Sequence, residues 1–274
     1  MHRRPAATVG FVAASVALAA IALAMLTALV RSMIFPAAQD AFPEPRAGEG
    51  WSVARYETAD GLRLAGALFP PAAPGRPLLL YFHGNAEAAA QNLPLADALC
   101  GRGFGVFLAE YRGYGGLGGS PSEEGLYADG EAALTELGRR GIPEARVVLV
   151  GRSLGSGVAV ELATRHRPAA LVLVSAYTSI VDMGRLVAGP LSPLLVRDRF
   201  DSIAKIGRVS APIVLLHGTR DDVVPVEMGR RLAAVRRDAR WVEVPGATHI
   251  DFPGLADLLA REVEGLLAGA PPAP

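Results

Sequence analysis

The stretch Val147-Val148-Leu149-Val150-Gly151-Arg152-Ser153-Leu154-Gly155-Ser156-Gly157 constrains the fold more than any other part of this chain. Four consecutive apolar residues stop at a glycine, a serine stands two residues on, and a helix-forming run continues to His166. Such a short, largely β-branched run reads as a strand buried on both faces. Passing from strand to helix within three residues presses backbone against backbone, and glycines at 151 and 155 remove the side chains that would collide. Ser153 is left at the apex of the turn.

The same grammar recurs along the chain. Apolar runs at Leu78–Phe82, Phe104–Leu108, Val147–Val150, Leu171–Val174, Ile213–Leu216 and Trp241–Val244 alternate with helix-like stretches around 87–101, 124–141, 154–166, 226–237 and 254–268. Repeated strand–helix alternation implies right-handed crossovers and a mostly parallel, doubly wound sheet, hence the α/β class. Ahead of it, Trp51–Thr58 and Leu62–Phe69 alternate around Ala59-Asp60-Gly61, the signature of an antiparallel hairpin. The chain's 274 residues allow one large domain of this kind without requiring two. Ligands in such sheets bind beyond the carboxyl ends of the strands. His83-Gly84-Asn85, Glu110-Tyr111-Arg112, the Ser153 turn, Ser175–Thr178, His217–Asp222 and Thr248-His249 all fall at that edge.

Before the domain, the 22 residues from Val9 to Val30 carry no charge, with Arg3 and Arg4 in front and Arg31 behind. At 1.5 Å per residue they span about 33 Å, enough to cross a hydrocarbon core of about 30 Å. The run exceeds the ~7–15 apolar residues of a cleaved leader, although Ala22-Leu23-Ala24 could serve as a cleavage site. Residues 9–30 are therefore expected to form a single-pass transmembrane anchor, with 31–50 an extended Pro-rich linker, 51–268 the catalytic domain and 269–274 a disordered tail. The positive residues preceding the anchor favour a cytoplasmic N-terminus and a domain on the opposite side.

Lys+Arg and Asp+Glu are equal at 27 each, so no basic excess exists to neutralise phosphates, and nucleic acid is not an expected partner. Cys100 is the sole cysteine, which excludes an intrachain disulfide and a cysteine-rich zinc site. No close His/Asp ligand cluster stands out, and no metal or cofactor is expected. The oligomeric state is left open.

Chemistry at Ser153 requires a base to take the hydroxyl proton and a carboxylate to orient that base. Of the five histidines, His2 precedes the anchor and His166 ends a helix beside Arg165 and Arg167. His83 and His217 directly follow strands and are read as fixing turns near the site. His249, in the loop after the last strand, is the expected base. The loop after Ile213–Leu216 offers Asp221, with Asp222 as fallback. Asp182, Asp198 and Asp201 are expected to serve caps or surface. The oxyanion hole would take the Leu154 N–H at the helix start and one from the loop after Leu78–Phe82, Asn85 or alternatively Ala86.

Phe82-His83-Gly84-Asn85-Ala86, Glu110-Tyr111-Arg112-Gly113-Tyr114-Gly115, Ser120-Pro121-Ser122-Glu123, Gly151-Arg152-Ser153-Leu154-Gly155 and His217-Gly218-Thr219-Arg220-Asp221 together resemble the α/β-hydrolase superfamily. The resemblance is to its membrane-anchored lysophospholipase-like and depalmitoylase-like serine hydrolases, and covers about 51–268. It implies Ser153 as nucleophile, Asp221 as acid and His249 as base, and gives Tyr111–Gly115 a role in shaping the pocket floor. The chain departs from the family pattern in the extra glycines after Tyr114 and in Ala247-Thr248 before the base. The implied activity is cleavage of a small-molecule acyl ester or thioester. A peptidase-type hydrolase and a non-catalytic scaffold binding a lipid or partner are the alternatives. The segment 179–210, apolar and broken by Pro190 and Pro193, is read as a short lid or as one amphipathic helix packed on the core.

Overall fold

The computed structural model describes residues 6–269, with side chains from Ala14 onward; His2, Arg3, Arg4 and all of the expected 269–274 tail except Gly269, which ends the last helix, lie outside the described residues. Strands form where the apolar runs stand, because alternate residues of each run can be buried on opposite faces of one sheet. The strands are β1 (Ser52–Glu57), β2 (Arg63–Phe69), β3 (Leu78–Phe82), β4 (Gly105–Ala109), β5 (Val147–Arg152), β6 (Ala170–Val174), β7 (Ile213–Gly218) and β8 (Arg240–Val244). They build one eight-stranded sheet in the order β1-β2-β4-β3-β5-β6-β7-β8. β2 is antiparallel to both β1 and β4, and the remaining pairs are parallel. This is the α/β-hydrolase fold, with its antiparallel hairpin at the N-terminal edge.

Leu78, Leu80, Phe82 and Leu149 face one apolar layer, while Leu79, Tyr81, Val148 and Val150 face the other. Helices cover both layers: α2 (Leu93–Cys100), α3 (Glu123–Arg139), α4 (Leu154–Arg165), α8 (Val226–Val235) and α9 (Leu255–Gly269). The five parallel strands β3–β7 thus form a slab buried almost throughout, with polar residues gathered beyond its carboxyl edge. Two features depart from the sequence expectation. The stretch 87–101 is helical only from Leu93, after a 3₁₀ turn at Ala89–Asn92, because Pro94 is tolerated only in a helix's first turn. β8 is only half-buried, being the sheet's edge.

The first helix, α1 (Ala6–Ile34), carries a 21-residue segment Ala14–Ile34 of mean hydropathy 2.1 that is 6% buried. It runs past Val30 into the expected linker. Phe35 is buried and packs edge-on against Phe200 at 6.2 Å. Arg31 donates through Nη2 to Pro121 O at 2.7 Å and pairs through Nε with Asp198 at 3.5 Å. Gly115 N donates to Ala38 O, and Gln39 donates to Gly113 O. The chain after the helix therefore lies sewn along the domain, since Phe35 has apolar surface to bury and Arg31 a carboxylate to meet.

The 179–210 segment is neither one helix nor a large cap. It folds as α5 (Ile180–Ala188), a 3₁₀ turn at Gly189–Leu191, α6 (Ser192–Leu195) and, further on, α7 (Ser202–Lys205). Ser192 Oγ donates to Val181 O at 2.7 Å, folding α6 back on α5.

Candidate active site

Ser153 stands between β5 and α4 with φ 50° and ψ −119°, a conformation costly for any residue with a side chain and characteristic of constrained functional turns. The glycines flanking it are sterically required. A Cβ on Gly155 would lie 2.1 Å from Phe82 O, and one on Gly151 would lie 2.5 Å from Gly155 O. The turn is pinned by Ser153 N donating to Val174 O at 3.0 Å and by Ser156 Oγ donating to Ser153 O at 2.6 Å.

His249 reaches this apex from the loop after β8. Its Nε2 lies 3.0 Å from Ser153 Oγ, and its Nδ1 lies 3.0 Å from each carboxylate oxygen of Asp221. With Nδ1–H donating to Asp221, Nε2 is left free to accept the serine proton. The loops carrying Asp221 and His249 are pressed together where β7 ends: a Cβ on Gly218 would lie 2.3 Å from Ala247 O. The Asp221 side chain is 0% exposed and that of His249 12%. Asp222, by contrast, is exposed to solvent.

Burial works against ionisation of Asp221. Hydrogen bonding from His217 and His249 and the Val224 N–H outweighs it and holds the carboxyl well below its usual range. Val223 N and Val224 N donate to Oδ1 at 3.0 and 2.8 Å. His217 donates from Nε2 to Val224 O at 2.9 Å, with Asp221 Oδ2 3.4 Å away. It fixes the turn as expected, and also faces the acid.

His83 is fully buried. Nδ1 lies 2.8 Å from Gly84 O, and Nε2 lies 2.8 Å from Glu110 Oε1. Burial opposes its charged form, but Glu110 overrides this and raises its pKa. Glu110 also accepts from Ala89 N and Tyr111 N, so a single carboxylate holds both ends of the His83–Ala89 loop. Asn85 and Leu154 line the same cleft as Ser153, and a Cβ on Gly84 would lie 3.5 Å from Ser153 Cβ. Tyr111 and Tyr114 do not form the floor of that cleft. They lie a layer below, packed on the His83 ring at 4.3 and 5.4 Å between centroids, because a buried imidazole needs walls. Arg112 joins Asp60 of the hairpin turn to Asp129 of α3.

The remaining candidates lie away from this cluster. His166 bridges Glu131 and Glu144, Asp201 caps α7, and Asp182 accepts from Thr178. Asp198 accepts from Glu123 N at the start of α3. Sequence reasoning missed Arg152, whose Nη2 donates to His249 O at 2.7 Å while Nη1 sits 3.7 Å from Glu87. It clips the His249 loop to the serine turn, and its place inside the motif was the one available signal. Also missed was the part of the cleft wall supplied by α1.

The cleft holds about 260 Å³ and is mostly apolar. Ser153, Asn85 and Leu154 line it, together with Ile180, Met183 and Val187 of α5. Val30, Met33 and Ile34 of α1 also line it. Among the described residues lining it, none is charged.

Residues 73–200 match the family model described as serine aminopeptidase, S33. An uncharacterized protein of Mycobacterium tuberculosis is 43% identical over 235 residues, covering 83% of this chain and 82% of that one. Alpha/beta hydrolase domain-containing protein 17B of Homo sapiens is 37% identical over 211 residues, covering 74% of this chain and 71% of that protein. Among solved structures, the Pyrococcus furiosus esterase Pf2001 superposes with a TM-score of 0.68 at 16% identity, covering 84% of this chain and 99% of the esterase. The sheet order, the serine turn and these relatives together make the chain a member of the α/β-hydrolase superfamily, on the serine hydrolase side of it.

Proposed function

We propose that this protein is a membrane-tethered serine hydrolase that cleaves carboxylic ester or thioester bonds of acyl substrates through an acyl-enzyme on Ser153. The observation that carries this reading is the relay Ser153 Oγ–His249 Nε2, His249 Nδ1–Asp221, at an uncharged cleft. In the first half-reaction His249 takes the hydroxyl proton as Oγ attacks the acyl carbonyl carbon. The carbonyl oxygen becomes an oxyanion, which the N–H groups of Leu154 and Asn85 receive, aided by the N-terminus of α4. Asp221 stabilises the imidazolium. Collapse breaks the bond to the alcohol or thiol, which leaves with the proton from His249. Water, deprotonated by the same nitrogen, then cleaves the acyl-enzyme, releasing a carboxylic acid and restoring Ser153.

The cleft favours an acyl group over a peptide terminus, because a charged amine or carboxylate would meet no opposite charge among the described lining residues. Tethering rests on the length, apolarity and exposure of α1. A core helix would be buried. Its last turn is also built into the domain, which favours a retained helix over a discarded leader. By the charge rule the N-terminus is cytoplasmic and the domain lies across the membrane. The proposed domain spans 51–268, with 179–210 as a short lid.

Labelling of the full chain with a fluorophosphonate probe tests this function. Wild type is expected to label and Ser153→Ala not to; equal labelling would sink both the serine assignment and the acyl-enzyme. A panel of short esters, long acyl thioesters, lysophospholipids and aminoacyl amides separates the substrate readings. Preference for the amides would favour the peptidase.

A further inference from the structure

We propose that the anchor helix is itself part of the substrate site: its last turn forms one wall of the acyl groove, and the groove's mouth opens alongside it. The proposal rests on the acyl-hydrolase reading above and deepens it. Val30, Met33 and Ile34 occupy one face of α1 at the i, i+3, i+4 spacing that places side chains together. All three line the cleft that holds Ser153. The opposite wall is α5, through Ile180, Met183 and Val187. Two of these six residues both line the groove and stand open to the surroundings: Met33 is 61% exposed and Val187 82%. The mouth therefore lies between them.

The wall is a fixed one. Arg31, on the turn between Val30 and Met33, is held by Pro121 O and Asp198, and Asp198 in turn accepts the Glu123 N–H. Phe35, one residue beyond the wall, is locked against Phe200. Around the mouth the surface is apolar. Leu29 on α1 and Leu186, Leu191 and Leu194 on the facing lid are all exposed, and no charge occurs from Leu186 to Val196.

This surface is continuous with the stretch of α1 that faces lipid, which identifies what covers it. If residues 9–30 span the hydrocarbon, Met33 lies only about 4.5 Å further along the axis, at the level of the headgroups. That is where the carbonyl of a membrane-resident acyl ester sits. A single acyl chain can thus pass from the leaflet between Met33 and Val187 with its apolar surface covered throughout, and present its carbonyl to Ser153. Crossing through water would expose about 0.8 kcal/mol of hydrophobic free energy per methylene.

The test uses the full chain in lipid nanodiscs, with kcat/KM measured on p-nitrophenyl esters from acetate to dodecanoate. Met33→Trp and Val30→Trp fill the groove from the α1 side. Each is expected to lower kcat/KM for dodecanoate at least tenfold while leaving acetate within twofold. Leu26→Trp, on the same helix but outside the groove, is expected to leave the whole profile unchanged. Unchanged chain-length profiles in both groove variants would overturn the proposal, as would an equal shift in Leu26→Trp. Fluorophosphonate labelling in the same samples separates the two levels of failure. Wild type that labels while the groove variants keep its profile refutes the wall alone, whereas wild type that fails to label refutes the hydrolase reading beneath it. Groove variants that label at the wild-type rate are folded, so their loss of long-chain turnover reports the groove.

Discussion

At the scale of single residues, Asp221 concentrates the most physics. Its carboxylate is sealed from solvent yet receives hydrogen bonds from His249 and two backbone N–H groups, with His217 3.4 Å away. Neutralising it while keeping its shape removes the orientation and charge that His249 depends on. Asp221→Asn is expected to lower kcat by about 10³–10⁴, while Asp222→Asn, altering an exposed side chain, stays within twofold of wild type. A loss confined to Asp222→Asn would move the acid to Asp222. The pH dependence of stability follows from the same contacts. Because folding lowers this carboxyl's pKa, its contribution is fully present above the ordinary value of 3.8 and drains as pH falls below it. Melting temperature below about pH 4 should therefore fall less steeply in Asp221→Asn than in wild type.

The chain order of Ser153, Asp221 and His249 was readable because each stands in the loop after an apolar run that reads as a strand. The choice between Asp221 and Asp222 was not, since adjacent side chains differ only in the direction a turn gives them. Arg152 was also opaque: its partner is a carbonyl 97 residues away, and only the meeting of two loops creates the bond.

Among the elements, the β5–turn–α4 unit bears the tightest packing. Its glycine at 155 faces the carbonyl of Phe82, a backbone atom that no rotamer change can move. Gly155→Ala is expected to cost about 3 kcal/mol or more, at the upper end for overpacking. For a domain of this size that is a drop of roughly 6–12 °C in Tm. Gly265→Ala on α9, where nothing lies within 4 Å, should instead raise Tm slightly by favouring the helix. Thermal denaturation of both variants checks the pair, and equal shifts would contradict the packing account.

Elements were legible where their burial was uniform. The interior strands announced themselves through continuous apolar runs, and the helices through amphipathic spacing. The last turn of α1 was not legible as a wall. Apolar side chains facing lipid and apolar side chains facing a groove obey the same chemistry, so Val30 and Met33 look alike in either role. In the lid, Pro190 and Pro193 marked a break, but the folding of α6 back onto α5 depends on a Ser192 hydroxyl meeting a carbonyl eleven residues earlier.

For the whole molecule, the open question of sidedness reduces to where residue 46 lies. In a Cys100→Ser background, Arg46→Cys places a thiol on an exposed stretch between α1 and the sheet. With the proposed orientation, a membrane-impermeant maleimide added to intact spheroplasts should label Arg46→Cys and spare His2→Cys. The reverse pattern would place the domain on the cytoplasmic side.

The close seating of α1 on the domain has a kinetic consequence. An enzyme on a slack leash sweeps a hemisphere of solution and meets its substrate in three dimensions. With the proposed membrane tether, a neck stapled at Arg31 and Phe35 instead keeps Ser153 at one constant height above the bilayer. Its encounters are then lateral, and its turnover follows the mole fraction of substrate in the surface, falling as inert lipid dilutes that surface even when the bulk concentration is unchanged.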